Sequence, residues 1–289
     1  MKYFLCACLC ILAAGCATTA PQRDATEAFG LATERLGRMG EDEFAAVRSG
    51  IIRMNKYQAI LDTGALSKDF RYDAPATPLN TAERISACKT LRMYGDLLMR
   101  LASDDRTQFV RRAALVFMDS AGETLGRPLD ADQTAAIDNV VAGLARFWTD
   151  KRKADSISAV VLSFENVVNT LADRLMADFV LDGSPDGFLN AYDASARRLQ
   201  DLADSLLDSG KPVGADGRQR AVNAHYMAQN NLLRAQEIGL RMQTAIQTFR
   251  KANAEIVSGV RNNACDADKI REYGRLIQQL GNLKQILPR

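Results

Sequence analysis

Apolar residues recur at intervals of three and four along almost the whole chain, the spacing of one buried face of an α-helix. Helix-forming residues dominate, and no stretch sustains a strand-like alternation of β-branched and polar residues. The first predicted helix runs from about Arg23 to Asp62, and the residues of its apolar face are Phe44, Val47, Ile51, Met54 and Ile60. The pattern therefore predicts an all-α fold.

The longest predicted helix, from about Ala215 to Asn262, carries a seven-residue repeat that keeps one stripe toward a partner helix. One set of positions is His225, Leu232, Gly239 and Ile246, and a second set, three residues further on, is Ala228, Ala235, Met242 and Phe249. A helix of about 45 residues is about 65–70 Å long. We therefore expect residues 25–289 to form a single domain, an elongated antiparallel helical bundle with two or more helices of about 40 residues.

Capping residues predict where several helices begin. Asn80 with Glu83, and Asp130 with Gln133, match the capping box, in which each side chain satisfies a backbone amide near the other residue. Ser184-Pro185 predicts a further helix start, because proline is favoured at the first helical position.

One long irregular connection interrupts the helices, from Ala65 to Leu79. Long loops in helical domains are often functional, and aromatic side chains often anchor protein interfaces. We therefore interpret this loop as a possible partner contact, with Phe70 and Tyr72 as its anchors.

The chain begins with a basic residue, Lys2, and then runs without charge from Tyr3 to Gly15. This run is shorter than the about 20 apolar residues that span a bilayer, and it matches the apolar core of a secretory signal. It ends in Leu12-Ala13-Ala14-Gly15-Cys16, which resembles the lipobox of bacterial lipoproteins. The resemblance implies that residues 1–15 are removed and that Cys16 carries a diacylglycerol thioether. It also implies acylation of the new amino group, typically with palmitate, and residues 16–24 would then be the anchor and a short tether.

The same resemblance implies a location. In diderm bacteria the residue after the lipidated cysteine directs sorting, and Ala17 in place of aspartate favours the outer membrane. We therefore expect a lipid-anchored protein on the periplasmic face of the outer membrane. Several acyl chains give stable attachment where a single chain would be marginal.

Charge and composition exclude one class of partner. Loss of Lys2 with the signal leaves 36 basic and 35 acidic side chains, so the formal charge falls from +2 to +1. A balanced chain has no electrostatic reason to bind nucleic acid. The hydrophobic content of 47% is enough to fill a core.

After processing, Cys88 and Cys265 are the cysteines that carry no lipid. A pair of cysteines in an oxidising compartment predicts a disulfide, and two separately buried thiols are the alternative interpretation.

Motifs that carry chemistry are missing from the sequence. His225 is its single histidine, and the chain has no P-loop, dinucleotide fingerprint or Gly-x-Ser-x-Gly elbow. We therefore predict no catalytic residue, no metal site and no cofactor. A polar pocket is possible around His225, together with Asn223, Tyr226 and Gln229, although a bundle histidine with one hydrogen-bond partner explains the same residues.

The sequence favours a non-catalytic interaction or scaffold module of the cell envelope that binds an envelope protein. An immunity protein that neutralises a periplasmic toxin is a close alternative. A helical bundle that binds a small molecule is another, and an enzyme is the least favoured class.

Overall fold

The computed structural model describes residues 20–62, 70–103, 107–144, 149–184, 187–208, 214–262 and 266–283. These residues form eight helices and no strand. The helices are α1 (Ala20–Leu61), α2 (Pro78–Ala102), α3 (Thr107–Leu125), α4 (Ala131–Leu144), α5 (Asp150–Phe179), α6 (Phe188–Asp208), α7 (Ala215–Asn262) and α8 (Ala267–Leu283). The predicted all-α bundle is confirmed.

The two longest helices are α1, with 42 residues, and α7, with 48 residues. They pack against each other, and Arg241 of α7 pairs with Glu43 of α1. The next helix in sequence, α2, runs antiparallel to α1. Arg48, later in α1, donates to the carbonyl of Ala76 just before α2, whereas Gly40, earlier in α1, lies against Cys88 later in α2. The prediction of two helices of about 40 residues in an antiparallel bundle is therefore confirmed.

Helix starts follow the predicted capping residues in one case and depart from them in two. The backbone amide of Gln133 donates to Asp130 Oδ1 at 2.9 Å, and the amide of Asp130 donates to Gln133 Oε1 at 3.1 Å, so this capping box is confirmed. Asn80 does not cap α2, because its own amide donates to Thr77 Oγ1 and proline follows Thr77 directly.

The start of α6 also lies later than Ser184-Pro185 predicts. The helix begins at Phe188, whose amide donates to Asp178 Oδ1 at 3.4 Å. A carboxylate from the preceding helix thus accepts one of the amides that a helix start leaves free. Such a cap is invisible to local sequence patterns, because ten residues separate Asp178 from Phe188.

Contacts divide the chain into two compact units. Unit 1 comprises the described residues within Met1–Leu36, Thr90–Thr170 and Thr248–Arg289, and unit 2 those within Gly37–Lys89 and Leu171–Gln247. The helices that contribute residues to both units are α1, α2, α5 and α7. The expectation of a single domain over residues 25–289 stays a prediction.

Unit 1 is built on a close approach of α1 and α2. A Cβ atom added to Gly30 would lie 2.6 Å from the carbonyl oxygen of Gly95 and 2.7 Å from the amide nitrogen of Met99. The two backbones therefore touch at this crossing, which leaves no room for a side chain. Beside it, the ring of Phe117 contacts both Tyr94 and Phe164, with centroids 5.6 and 4.7 Å away.

Unit 2 has an aromatic core and a buried ion pair. The ring of Phe44 packs on Phe179 and Phe188 at centroid distances of 4.8 and 5.2 Å. Arg241 Nη2 lies 2.6 Å from Glu43 Oε1, and both side chains are almost fully buried. Most of the predicted seven-residue stripe of α7 also lies in this unit, and Phe249 at its end belongs to unit 1. The buried stripe residues of unit 2 are Ala228, Ala235, Gly239, Met242 and Ile246.

The crossing of α1 and α2 can be tested by adding one methyl group. We expect Gly30→Ala and Gly95→Ala each to destabilise the protein by about 1–3 kcal/mol, because the new Cβ would overlap backbone atoms that cannot swing aside. Urea unfolding followed by circular dichroism measures this change.

Gly122→Ala in α3 is the matched control for the crossing. Its new Cβ would meet its nearest neighbour, the carbonyl oxygen of Arg127, at an ordinary 3.8 Å. Alanine is the better helix former by about 0.5–1 kcal/mol, so this variant should be neutral or stabilised. Equal stability changes for Gly30→Ala and Gly122→Ala would contradict a tight crossing.

Candidate protein-interaction site

The segment from Phe70 to Thr77, which leads from α1 to α2, is held against α1 by side-chain hydrogen bonds. Asn55 Nδ2 donates to the carbonyl oxygens of Tyr72 and Ala74 at 2.8 and 2.7 Å. Arg48 Nε donates to the carbonyl oxygen of Ala76 at 3.2 Å. Asn55 is buried and Arg48 is half-buried, so these bonds are partly shielded from water and fix the backbone of the segment to the helix beneath it.

Two aromatic rings project from this fixed segment. Phe70 and Tyr72 lie edge to face, with centroids 5.2 Å apart and an interplanar angle of 82°. Tyr72 is 42% exposed, and Phe70 is half-buried. The structure thus brings together Phe70 and Tyr72, the two residues predicted from the sequence to be anchors. Their role in binding a partner stays a prediction, and residues 63–69 of the connection lie outside the described residues.

Charged residues alternate with the aromatic pair. Arg71 Nε lies 3.2 Å from Asp73 Oδ1, and this hydrogen bond lowers the pKa of the Asp73 carboxyl. Two further large apolar side chains are exposed where the helices meet the connection: Ile60 in the last turn of α1 and Leu79 in the first turn of α2. The region therefore combines apolar surface with ionic groups, as the core and rim of protein interfaces do.

Of the four residues of the predicted polar pocket, His225 and Tyr226 contact each other edge to face, with ring centroids 6.3 Å apart. His225 Nδ1 lies 2.5 Å from Asp204 Oδ1 and links α7 to α6. The other three side chains, those of Asn223, Tyr226 and Gln229, are exposed on α7. His225 thus has the hydrogen-bond partner that the alternative interpretation expects, and the polar pocket stays a prediction.

A polar groove of about 480 Å³ lies in unit 1 between α4 and α5. Its polar walls include Arg127, Asp132, Asn139, Ser163 and Asn166, and its lining includes alanines and Leu162. No sequence pattern predicts this groove, because the residues that form it are ordinary surface types spread over 40 positions of the chain.

Of the two cysteines predicted to form a disulfide, only Cys88 lies within the described residues. Cys88 is a free and fully buried cysteine, and burial raises the pKa of its thiol well above the ordinary value. Cys265 lies outside the described residues, so the disulfide stays a prediction. Cys16 and the signal also lie outside the described residues.

Within the described ranges, no three His, Cys, Asp or Glu side chains are grouped so that they could hold a metal ion. No helix among the described residues is both long and apolar enough to cross a membrane.

Other functional side chains in the structure gave no signal in the sequence. Asn55 lies in the middle of a predicted helix, where an asparagine is usually a solvated residue. Asn55 reaches the carbonyl oxygens of Tyr72 and Ala74 only because the segment that follows α1 lies against this helix. The same holds for Asp204, which meets His225 across two helices.

Comparison of the chain with protein-family models, with curated proteins and with solved structures finds no match. The functional interpretation of the helical residues therefore rests on the geometry of their surfaces.

Asn55 donates two of the hydrogen bonds that hold residues 70–77, which we call the aromatic segment, against α1. We expect Asn55→Ala to cost about 1–3 kcal/mol of folding free energy, because two backbone carbonyls lose a donor that water replaces only in part. Amide hydrogen exchange should accelerate most in residues 71–77, which separates local release from global unfolding.

Asn223→Ala is the control for the loss of an amide side chain. Asn223 is exposed and accepts one hydrogen bond from Gln219 of the same helix. Its replacement should change stability by less than about 0.5 kcal/mol. Asn223→Ala should exchange amide hydrogens in residues 71–77 at the wild-type rate. If Asn55→Ala did so too, Asn55 would not be the residue that holds the segment.

Proposed function

We propose that this chain is a lipoprotein of the outer membrane that acts as a non-catalytic protein-interaction module on the periplasmic side. The anchoring half of the proposal rests on the lipobox resemblance at Leu12-Ala13-Ala14-Gly15-Cys16. It is supported by the start of α1 at Ala20, four residues after Cys16. Four extended residues reach about 14 Å at most, so the helices of an anchored molecule begin close to the lipid headgroups.

The observation that carries the interaction half is the aromatic segment on α1. Aromatic anchors contribute a large share of the binding energy at protein interfaces. Binding costs less when such anchors are already ordered, because less conformational entropy is lost. Asn55 and Arg48 order the backbone that carries Phe70 and Tyr72 before any partner arrives.

A small-molecule function is the second candidate, and the groove between α4 and α5 favours it. Its lining combines amide, hydroxyl and charged side chains with alanine residues. Such a lining fits a polar ligand with several hydrogen-bonding groups. No described residue is assigned a catalytic role in either candidate.

Metabolic labelling with an alkyne analogue of palmitate tests the anchor. We expect the wild type and Cys10→Ser to be labelled, and Cys16→Ser to be unlabelled, because Cys10 lies within the segment that is removed. A labelled Cys16→Ser variant would refute the lipobox assignment, whatever the function of the helical body.

Crosslinking in intact cells tests the interaction site. We expect an envelope protein to crosslink to the wild type in near-equal amount and to be lost with the double variant Phe70→Ala, Tyr72→Ala. Truncating an anchor residue typically costs 2 kcal/mol or more, about a 30-fold loss of affinity.

Phe109→Ala is the matched control, since Phe109 of α3 has the same 42% exposure as Tyr72 but lies in unit 1. It should retain the partner. If the double variant also retained the partner, the aromatic segment would not be the docking site. Recovery of the chain alone from the wild type would instead favour the groove and its polar ligand.

A further inference from the structure

The longest helix carries an exposed apolar stripe. Tyr226, Leu233 and Leu240 of α7 are 62%, 64% and 73% exposed, and they follow one another at intervals of seven residues. Seven residues are two helical turns, so the three side chains lie along one line of the helix surface. We call these three residues the outer stripe.

The outer stripe lies opposite the face by which α7 packs into its own unit. Leu233 and Ala235 are two positions apart, which is about 200° around a helix with 3.6 residues per turn. Ala235 is fully buried, as are Ala228 and Met242 at the same seven-residue spacing. The helix thus has two heptad-spaced stripes, one used inside the bundle and one facing outward.

The part of α7 that carries the outer stripe is poor in charge. Between residues 221 and 247 the charged side chains are Arg234, Glu237 and Arg241, whereas 25% of the whole chain is charged. Arg241 is buried against Glu43, so only Arg234 and Glu237 add exposed charge. Depletion of charge around large apolar side chains is typical of the centre of a protein interface.

We propose that the outer stripe is an interface between two copies of this chain, in which the two α7 helices pack antiparallel. A twofold axis midway between Leu233 and Leu240 would place Leu233 of each copy against Leu240 of the other. The stripe is then self-complementary, as an isologous interface requires. This interface is separate from the aromatic segment and does not depend on the lipid anchor.

The two exposed charges select the antiparallel direction. About the same axis, Arg234 of one copy lies two residues, about 3 Å along the helix, from the level of Glu237 in the other copy. Opposite charges at this offset are within reach of the arginine side chain. A parallel pair in register would instead set Glu237 against Glu237 beside the leucines, and like charges that face each other are destabilising.

Sedimentation equilibrium of the mature full-length chain carrying Cys16→Ser tests the interface without lipid. We expect a monomer–dimer equilibrium, and we expect Leu233→Glu with Leu240→Glu to raise the dissociation constant at least about 100-fold, because two apolar layers become charged and repulsive. Leu31→Glu is the control, as Leu31 is also exposed (46%) but lies on α1, and it should leave the constant unchanged.

Both leucines of the stripe are exposed, so the double variant should keep the helical circular dichroism of the parent chain. A parent chain that stays monomeric at hundreds of micromolar would overturn the proposal. A dimer that the double variant leaves intact would overturn it too.

Disulfide crosslinking tests the direction. In the antiparallel pair, position 236 lies opposite position 237 of the second copy, so Gln236→Cys should crosslink readily under mild oxidation. Position 226 lies 21 residues, about 30 Å along the helix, from position 226 of the second copy, so Tyr226→Cys should not crosslink. Crosslinking of Tyr226→Cys above the background of the parent cysteines would show a parallel pair and refute the proposed arrangement.

Discussion

The packing of this protein depends on how closely other helices approach α1. At Gly30 the backbone of α2 occupies the space where a side chain would be, at Gly40 the neighbour is Cys88, and at Gly50 it is the ring of Tyr192. These glycines recur every ten residues along one helix. Close approach increases the dispersion contacts among the neighbouring side chains, which are individually weak and collectively large. The positions of α2 and α6 against α1 therefore follow from the absence of three side chains.

Polar groups then determine how helices are aligned within unit 2. Arg241 and Glu43 pair across α7 and α1, and removing one partner would leave the other charge buried and unpaired. Asp178 pairs with Arg84 and also accepts the first amide of α6. Burial raises the pKa of Asp178, and the adjacent guanidinium of Arg84 opposes that shift. Arg84 in turn lies over the ring of Phe188, 5.1 Å from its centroid.

The two surfaces that we propose for binding differ in how they are held. The aromatic segment is irregular backbone, and it is ordered because Asn55 satisfies its carbonyls from the helix below. The outer stripe needs no such support, since Tyr226, Leu233 and Leu240 belong to a helix whose other face is anchored in unit 2. The segment therefore depends on hydrogen bonds from two side chains, Asn55 and Arg48, whereas the stripe depends on the packing of the unit as a whole.

Apolar periodicity alone determined the helical class, the long helix Ala215–Asn262 and its buried stripe, because these follow from residues three, four and seven positions apart. Local capping chemistry likewise placed the start of α4 at Asp130. Only the tertiary structure decided the start of α6 at Phe188, the role of Asn55 and the pairing of His225 with Asp204. The physical reason is that a short-range pattern encodes which face of a helix is apolar. Which residue of another helix meets that face depends on the whole chain having folded.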